Sequence, residues 1–260
     1  MIEMNIFEEL YNYRELLKTN VQKEIRGKYK GSFLGVLWSF LNPLLMVLVY
    51  AIVFPYLMRV QQEHYLIYLI TGIIPWIFFT TVVTSGCNCV WINGGIIKKV
   101  YFPRAILPIS VVCAGLVNFL ISCIVILLFV LFGGVGISFN ILWVFPIAII
   151  QSLFSLGLLF VLSAINVYVR DIEYIVQFFV NLLFYATPII YNMEMLPERF
   201  KNILMFNPML HFINAYRDIF YYKTSPSFIS LVLIFGISII MLVIGYSVFK
   251  KLEKGFAEEV

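Results

Sequence analysis

Long uncharged runs separated by short polar stretches dominate this chain. Six of them, at roughly 33–57, 66–90, 105–132, 141–169, 174–193 and 227–249, each hold about 20 residues or more, enough for a helix to cross a bilayer core. Six spans put both termini on one side. Ahead of the first run, from about Phe7 to Lys30, Leu10, Tyr13, Leu17, Val21 and Ile25 recur at steps of three and four. Lys18, Gln22, Lys23, Arg26 and Lys30 fall mainly elsewhere around the helix, a pattern that predicts an amphipathic helix lying in the cytoplasmic interface. Gly27, Gly31 and Gly35 then recur every fourth residue. They read either as a small-residue stripe for close approach of a helix or lipid, or as a bend from surface into membrane. Between the fifth and sixth runs, residues 193–226 are too apolar for a solvated loop and are cut near the middle by Asn207-Pro208. Two short helices forming a hairpin over 194–222 that dips into the outer leaflet are predicted, with an amphipathic loop on the surface as the alternative.

Composition makes the class firm. The chain is 62% hydrophobic and only 12% charged, with a mean hydropathy of +0.96, so the fold expected is an all-α integral membrane protein and not a soluble globule. A net charge of +4 with no basic stripe argues against nucleic acid as a partner. The opening MIEMNIFEEL is acidic and lacks the order of a cleavable signal, so the first span is expected to remain in the mature protein. Six Lys and Arg precede the first span, three lie in the 91–104 loop, Arg170 lies in the next inner loop, and three are in the tail KKLEKGFAEEV, which carries no domain. Only Arg59, Arg199, Lys201, Arg217 and Lys223 are left outside, so both termini are predicted to be cytoplasmic. Gly133, Gly134 and Gly136 mark a tight outer turn. Cys87, Cys89, Cys113 and Cys123 all fall within apolar runs and read as small hydrophobes, not as a disulfide or a metal site.

The loop Asn93–Arg104, reading NGGIIKKVYFPR, is a basic and aromatic interruption between two spans. Asn93 is a good N-cap and Pro103 cannot continue a helix, so a short loop helix at the cytoplasmic surface is predicted, serving as an anchoring loop or as a docking knob for a soluble partner. The second inner loop holds Arg170, Asp171 and Glu173, readable as a local ion pair or as a contact to a cytoplasmic partner. No Gly-x-x-x-x-Gly-Lys-Ser/Thr loop occurs, so any use of ATP is expected to come from a partner. The spans lack ionisable residues in their interiors, which argues against ion-driven transport. Their polarity is uncharged, with Asn42, Asn88, Asn118, Gln151, Asn166, Gln177 and Asn181 suited to hydrogen bonds between helices. Aromatic residues reach 17% of the chain; most such residues pack or form interfacial belts, but flat apolar faces also suit a tunnel for sugar rings. His64 and His211 lie far apart in outer segments and need no special role.

Four blocks together resemble the transmembrane permease subunits of ABC-2-type exporters for O-antigen, teichoic acid and other cell-surface polysaccharides. They are RGKYKGSFLGVLWSFLNPLL entering the first span, IIKKVYFPRAILP after the second, NVYVRDIEYIVQFFVNLLFYATPIIY through the fourth and fifth, and LPERFKNILMFNPMLHFINAYRDIFY before the sixth. The resemblance implies a single transmembrane domain over 1–260, acting as a homodimer in the bacterial cytoplasmic membrane. Two ATP-binding cassette subunits would hold the ATP and Mg, leaving this chain without cofactor, metal or catalytic residues. The cargo implied is an undecaprenyl-pyrophosphate-linked glycan, moved through a channel lined by aromatics.

On this resemblance the coupling helix corresponds to Asn93–Pro103, with Asn93, Gly94, Ile97, Lys98, Lys99, Tyr101, Phe102 and Pro103 docking the ATPase. Residues 1–30 are similar to the gate helix, and 194–222 to the re-entrant pair. Arg26, Lys28 and Lys30 are placed to attract the lipid pyrophosphate, or simply to anchor on anionic membrane lipid. Trp38, Phe78, Phe79, Phe178 and Tyr185 are the candidate channel lining. Two other classes keep some of these features: an ABC-2 permease for a drug or simple lipid, and a membrane-embedded lipid-carrier glycosyltransferase. The latter would need poised carboxylates, for which only Asp171/Glu173 and Glu194/Glu198 are available, without a metal-ligand set.

Overall fold

The computed structural model describes residues 6–27, 35–58 and 63–260, and its regular structure is all helical, with no strand among the described residues. The chain runs α1 (Ile6–Asn12), α2 (Arg14–Gly27), α3 (Trp38–Met58), α4 (Tyr65–Cys87), α5 (Cys89–Ile92), α6 (Gly94–Ile97), α7 (Ile106–Phe132), α8 (Val144–Tyr168), α9 (Ile172–Ala186), α10 (Glu198–Leu204), α11 (Pro208–Phe220), α12 (Phe228–Leu252) and α13 (Phe256–Glu259). The predicted amphipathic helix is present but breaks at Tyr13, and α2 packs against α7. Lys28, Lys30 and Gly31 lie outside the described residues.

Four helical stretches among the described residues are long and apolar enough to cross a membrane: Tyr65–Cys87, Ile106–Phe132, Phe139–Tyr168 and Phe228–Glu259. Of the two other runs expected to span, the first holds the apolar stretch Pro43–Phe54 within the 21-residue α3, and the fifth is a shorter helix, Ile172–Ala186. The reason is visible for α9, which ends at Ala186 because Thr187-Pro188 turns the chain to extended geometry. Nevertheless α9 starts at one end of the bundle, where Glu173 accepts from Asn88 Nδ2 at 3.1 Å, and heads for the other. Its last turn puts Phe184 5.8 Å from Trp76, about 17 Å along α4 from Tyr65 at 1.5 Å per residue.

α4 is the centre of the bundle, packed by α3, α7, α8, α9 and α11, and is buried along most of its length. α8 and α12 form the tightest pair, through glycine. A Cβ on Gly157 would lie 2.5 Å from the backbone of Met241, and one on Gly245 would meet the Gly157 carbonyl. Close backbone approach of this kind is how helices gain dispersion contact when the solvent is lipid. In the earlier glycine stripe, a Cβ on Gly27 or Gly35 would meet nothing within 4 Å among the described residues. The outer turn forms as predicted, with Gly134 and Gly136 at φ +80 and +79.

Because the obstacle at Gly157 is backbone and cannot rotate away, Gly157→Val is expected to destabilise the bundle by about 1–3 kcal/mol, the usual cost of overpacking. Thermal unfolding in detergent should show a lowered midpoint, whereas Gly236→Ala, facing open space, should leave it unchanged.

Candidate functional site

Two constellations stand at opposite ends of the bundle. At one end, the expected loop helix is only the single turn α6, because Gly94-Gly95 are poor helix formers and Pro103 holds the residues before it extended. Asn93 does not cap it through its side chain. Instead Asn93 Nδ2 donates back to the Cys89 carbonyl at 2.7 Å, and its Oδ1 accepts from Lys23 Nζ of α2 at 3.1 Å. Gly94, Ile97 and Phe102 turn inward, Phe102 being 6% exposed. What faces outward is Ile92, Ile96, Val100 and Tyr101, the last 82% exposed, flanked by Lys98 and Lys99. The loop thus offers an apolar patch with a basic edge, and Pro103 is half-buried behind it.

The second inner loop joins the same surface. The Arg170 guanidinium lies 3.6 Å over the Trp91 ring and Glu173 is held by Asn88, so neither forms the local ion pair among the described residues. Asp171 is exposed. The tail also belongs here, a participant that local sequence gave no reason to expect. Phe256 is fully buried, and Arg104 donates to the Glu253 carbonyl while its guanidinium carbon stands 5.9 Å from the Phe256 ring.

At the opposite end, α11 packs into the bundle against α4, α8 and α12. Asn207 caps its start by accepting from Met209 N at 3.0 Å and donating to Thr187 Oγ1 at 2.9 Å. Phe212 lies 5.9 Å from Phe154, which stacks on Phe79, so the start of α11 is deep. Tyr216 donates to Gln151, whose Nε2 reaches the Pro75 carbonyl at 3.0 Å. Tyr221 ends the climb by donating to the Glu63 carbonyl, beside the start of α4.

Beside α11 runs the non-helical strap 187–191, which continues from the end of α9. Its carbonyls are taken up in order: Pro188 and Ile189 by the two Nη atoms of Arg217 at 2.7 and 2.8 Å, Ile190 by Tyr65 Oη at 2.8 Å, and Tyr191 by Tyr68 Oη at 3.0 Å. Arg217 is 3% exposed, lies 3.6 Å over the Tyr68 ring, and fits because Gly72 has no side chain: a Cβ there would be 3.0 Å from Nη2. Burial raises the carboxyl of the next residue, Asp218, to about 6. A positive-inside count treats Arg217 as an outer-loop charge; its role has no local signal, because its partners lie nearly 30 and 150 residues away.

The candidate aromatics divide. Phe78 stacks on Phe119 at 5.1 Å and Phe79 on Phe154, both buried in the core. Trp38, Phe178 and Tyr185 are exposed. α9 buries Val176, Val180 and Phe184 and presents Tyr174, Gln177, Phe178, Asn181 and Tyr185 along its other side. Arg26 is exposed at the end of α2.

The sequence profile described as ABC-2 type transporter matches residues 15–221. The chain belongs to this family. It is 39% identical over 246 residues to the O-antigen export system permease protein RfbA of Klebsiella pneumoniae, covering 94% of each chain. Against the protein of the same name from Myxococcus xanthus, identity is 35% over 260 residues, 99% of this chain and all of that one. The polysialic acid transport protein KpsM of Escherichia coli is 21% identical over 80% of each chain. An ABC-2 transporter subunit is a multi-pass membrane component of a transport machine, not an enzyme, and works with an ATP-binding partner.

Arg217→Gln should unseat the strap, since each buried carbonyl left without a donor costs about 1–3 kcal/mol. Arg217→Lys should rescue little, because one ammonium cannot reproduce the two-pronged fork. Detergent-solubilised protein should show a lowered unfolding midpoint for both variants.

Proposed function

We propose that this chain is the permease subunit of an ATP-driven exporter of a cell-surface polysaccharide, carried as an undecaprenyl-pyrophosphate-linked glycan across the bacterial cytoplasmic membrane. The observation that carries the reading is near-full-length similarity to two O-antigen export permeases. A homodimer with two ATP-binding subunits, which bind the ATP and Mg, is the working assembly. The outward patch of Ile92, Ile96, Val100 and Tyr101, with Lys98 and Lys99, suits a partly apolar and partly acidic cleft on the ATPase.

Six crossings fit the contacts. α2, the 93–104 loop, the second inner loop and the tail share one end, while the strap, the end of α11 and the start of α4 share the other. Both termini are then cytoplasmic, and 194–222 with its deep α11 acts as the re-entrant pair. Arg26, Lys28 and Lys30 attract the lipid pyrophosphate at the inner interface.

The glycan path runs along α9 and α3 at the seam between two copies. Its support is the mixture on α9: Gln177 and Asn181 are exposed among Tyr174, Phe178 and Tyr185. Amides facing lipid tails would be unsatisfied, whereas amides facing a wet tunnel can meet sugar hydroxyls between stacking rings. Trp38 on α3 extends the same wall.

In proteoliposomes holding the permease and its ATP-binding partner, hydrolysis should be stimulated by an undecaprenyl-pyrophosphate-linked glycan and not by small amphiphiles. The double variant Gln177→Leu, Asn181→Leu should lower glycan export at unchanged assembly. Stimulation by amphiphiles alone would favour a drug or simple-lipid permease, and normal export by the double variant would put this face of α9 against lipid.

A further inference from the structure

We propose that the tail from Glu253 to Val260 is a strut that fixes the docking loop to α8 and α12, so that force delivered by the ATPase reaches the spans. The inference rests on the assignment of the Ile92–Tyr101 patch as the ATPase docking surface. Four independent contacts hold the tail. Its ring Phe256 continues an aromatic ladder, with Phe160 5.1 Å from Phe249 and Phe249 5.4 Å from Phe256. Tyr168, the last residue of α8, donates to the Leu252 carbonyl at 2.8 Å and places its ring 6.3 Å from Phe256. Arg104, just past the loop, reaches the Glu253 carbonyl, and Lys250 Nζ pairs with Glu253 at 2.9 Å.

The fourth contact touches the docking loop itself. Val260 occupies the space where Gly94 has no side chain, directly behind α6. Gly255 is needed for the same fit, because a Cβ there would strike the Tyr168 hydroxyl. The loop is also tied back by backbone turns, by Asn93 and by the inward side chains of Ile97 and Phe102, but α6 is a single turn. A single turn between two glycines and a proline has little stiffness of its own, and a push on Tyr101 would bend it unless something rigid lies behind. Phe256 and Val260 supply that backing from α12, which is glycine-locked to α8. Phe256 is therefore a positioning residue. Ala257, Glu258 and Glu259 stay exposed on the outer side of the strut.

The test uses the full permease with its ATP-binding partner, measuring glycan exported per ATP hydrolysed alongside co-purification and hydrolysis without glycan. Phe256→Ala should assemble and hydrolyse ATP, yet lose about fivefold or more in export per ATP, within the range of ordinary coupling energies. Phe256→Leu, which keeps apolar volume, should recover most of it. Gly255→Val, which displaces the Tyr168 hydroxyl without removing the ring, should show the same loss and guards against a Phe256→Ala chain that fails to fold. Parental export per ATP from Gly255→Val and from an assembled Phe256→Ala complex, with Tyr101→Ala still impaired, would overturn the strut and leave the docking surface standing. Unchanged co-purification and export in Tyr101→Ala would instead overturn the docking surface.

Discussion

A helix that stops inside an apolar bundle leaves carbonyl groups that must find donors within the protein, and the end of this protein around residues 187–191 depends on how those groups are met. α9 stops at Ala186, and the four carbonyls from Pro188 to Tyr191 accept in turn from Arg217, Tyr65 and Tyr68. The donors dictate the neighbourhood. Arg217 requires the space at Gly72 and the ring of Tyr68, and it can reach the strap only because α11 rises beside it from a deep start at Asn207-Pro208. A buried guanidinium is costly to desolvate, and two carbonyls with an aromatic face offset that cost without a carboxylate partner.

The opposite end is built differently. Its surface is assembled from α2 through Lys23, the second inner loop through Trp91 and Asn88, and the tail through Arg104 and Phe256. These links run through elements already packed on α7, α8 and α12. Displacement at the loop is thereby shared with the bundle, as coupling through rigid packed elements requires. The direct link from Lys23 to Asn93 also joins α2 to the 93–104 loop.

Much of this was legible in the sequence, and the exceptions share a cause. Run lengths report where the apolar helices lie, and the placement of Lys and Arg predicts their sidedness, because both act locally, through burial and charge. The cut at Asn207-Pro208 and the turn at Gly134 and Gly136 were legible for the same reason, being fixed by their own backbones. Arg217, Phe256 and the pair Gly157 and Gly245 depend on partners far along the chain, so composition assigned them to an outer loop, to a tail without a domain and to no role at all. Phe78 and Phe79 show the converse limit: apolar rings on a span suit a tunnel wall and a core equally, and only neighbours such as Phe119 and Phe154 reveal the core. The exposed amides Gln177 and Asn181 were visible as polar residues, but only the burial of Val176, Val180 and Phe184 shows which way they face.

The claim on which the rest turns is that the docking loop and tail lie on one side of the membrane and the strap end on the other. It is tested by single cysteines at Lys98, Ala257 and Lys223, each placed in a chain whose four native cysteines are replaced, and labelled in intact cells with a membrane-impermeant thiol reagent. The position at Lys223 should label in intact cells, and those at Lys98 and Ala257 only after the membranes are opened. Labelling of Lys98 or Ala257 in intact cells, or protection of Lys223 until opening, would contradict it.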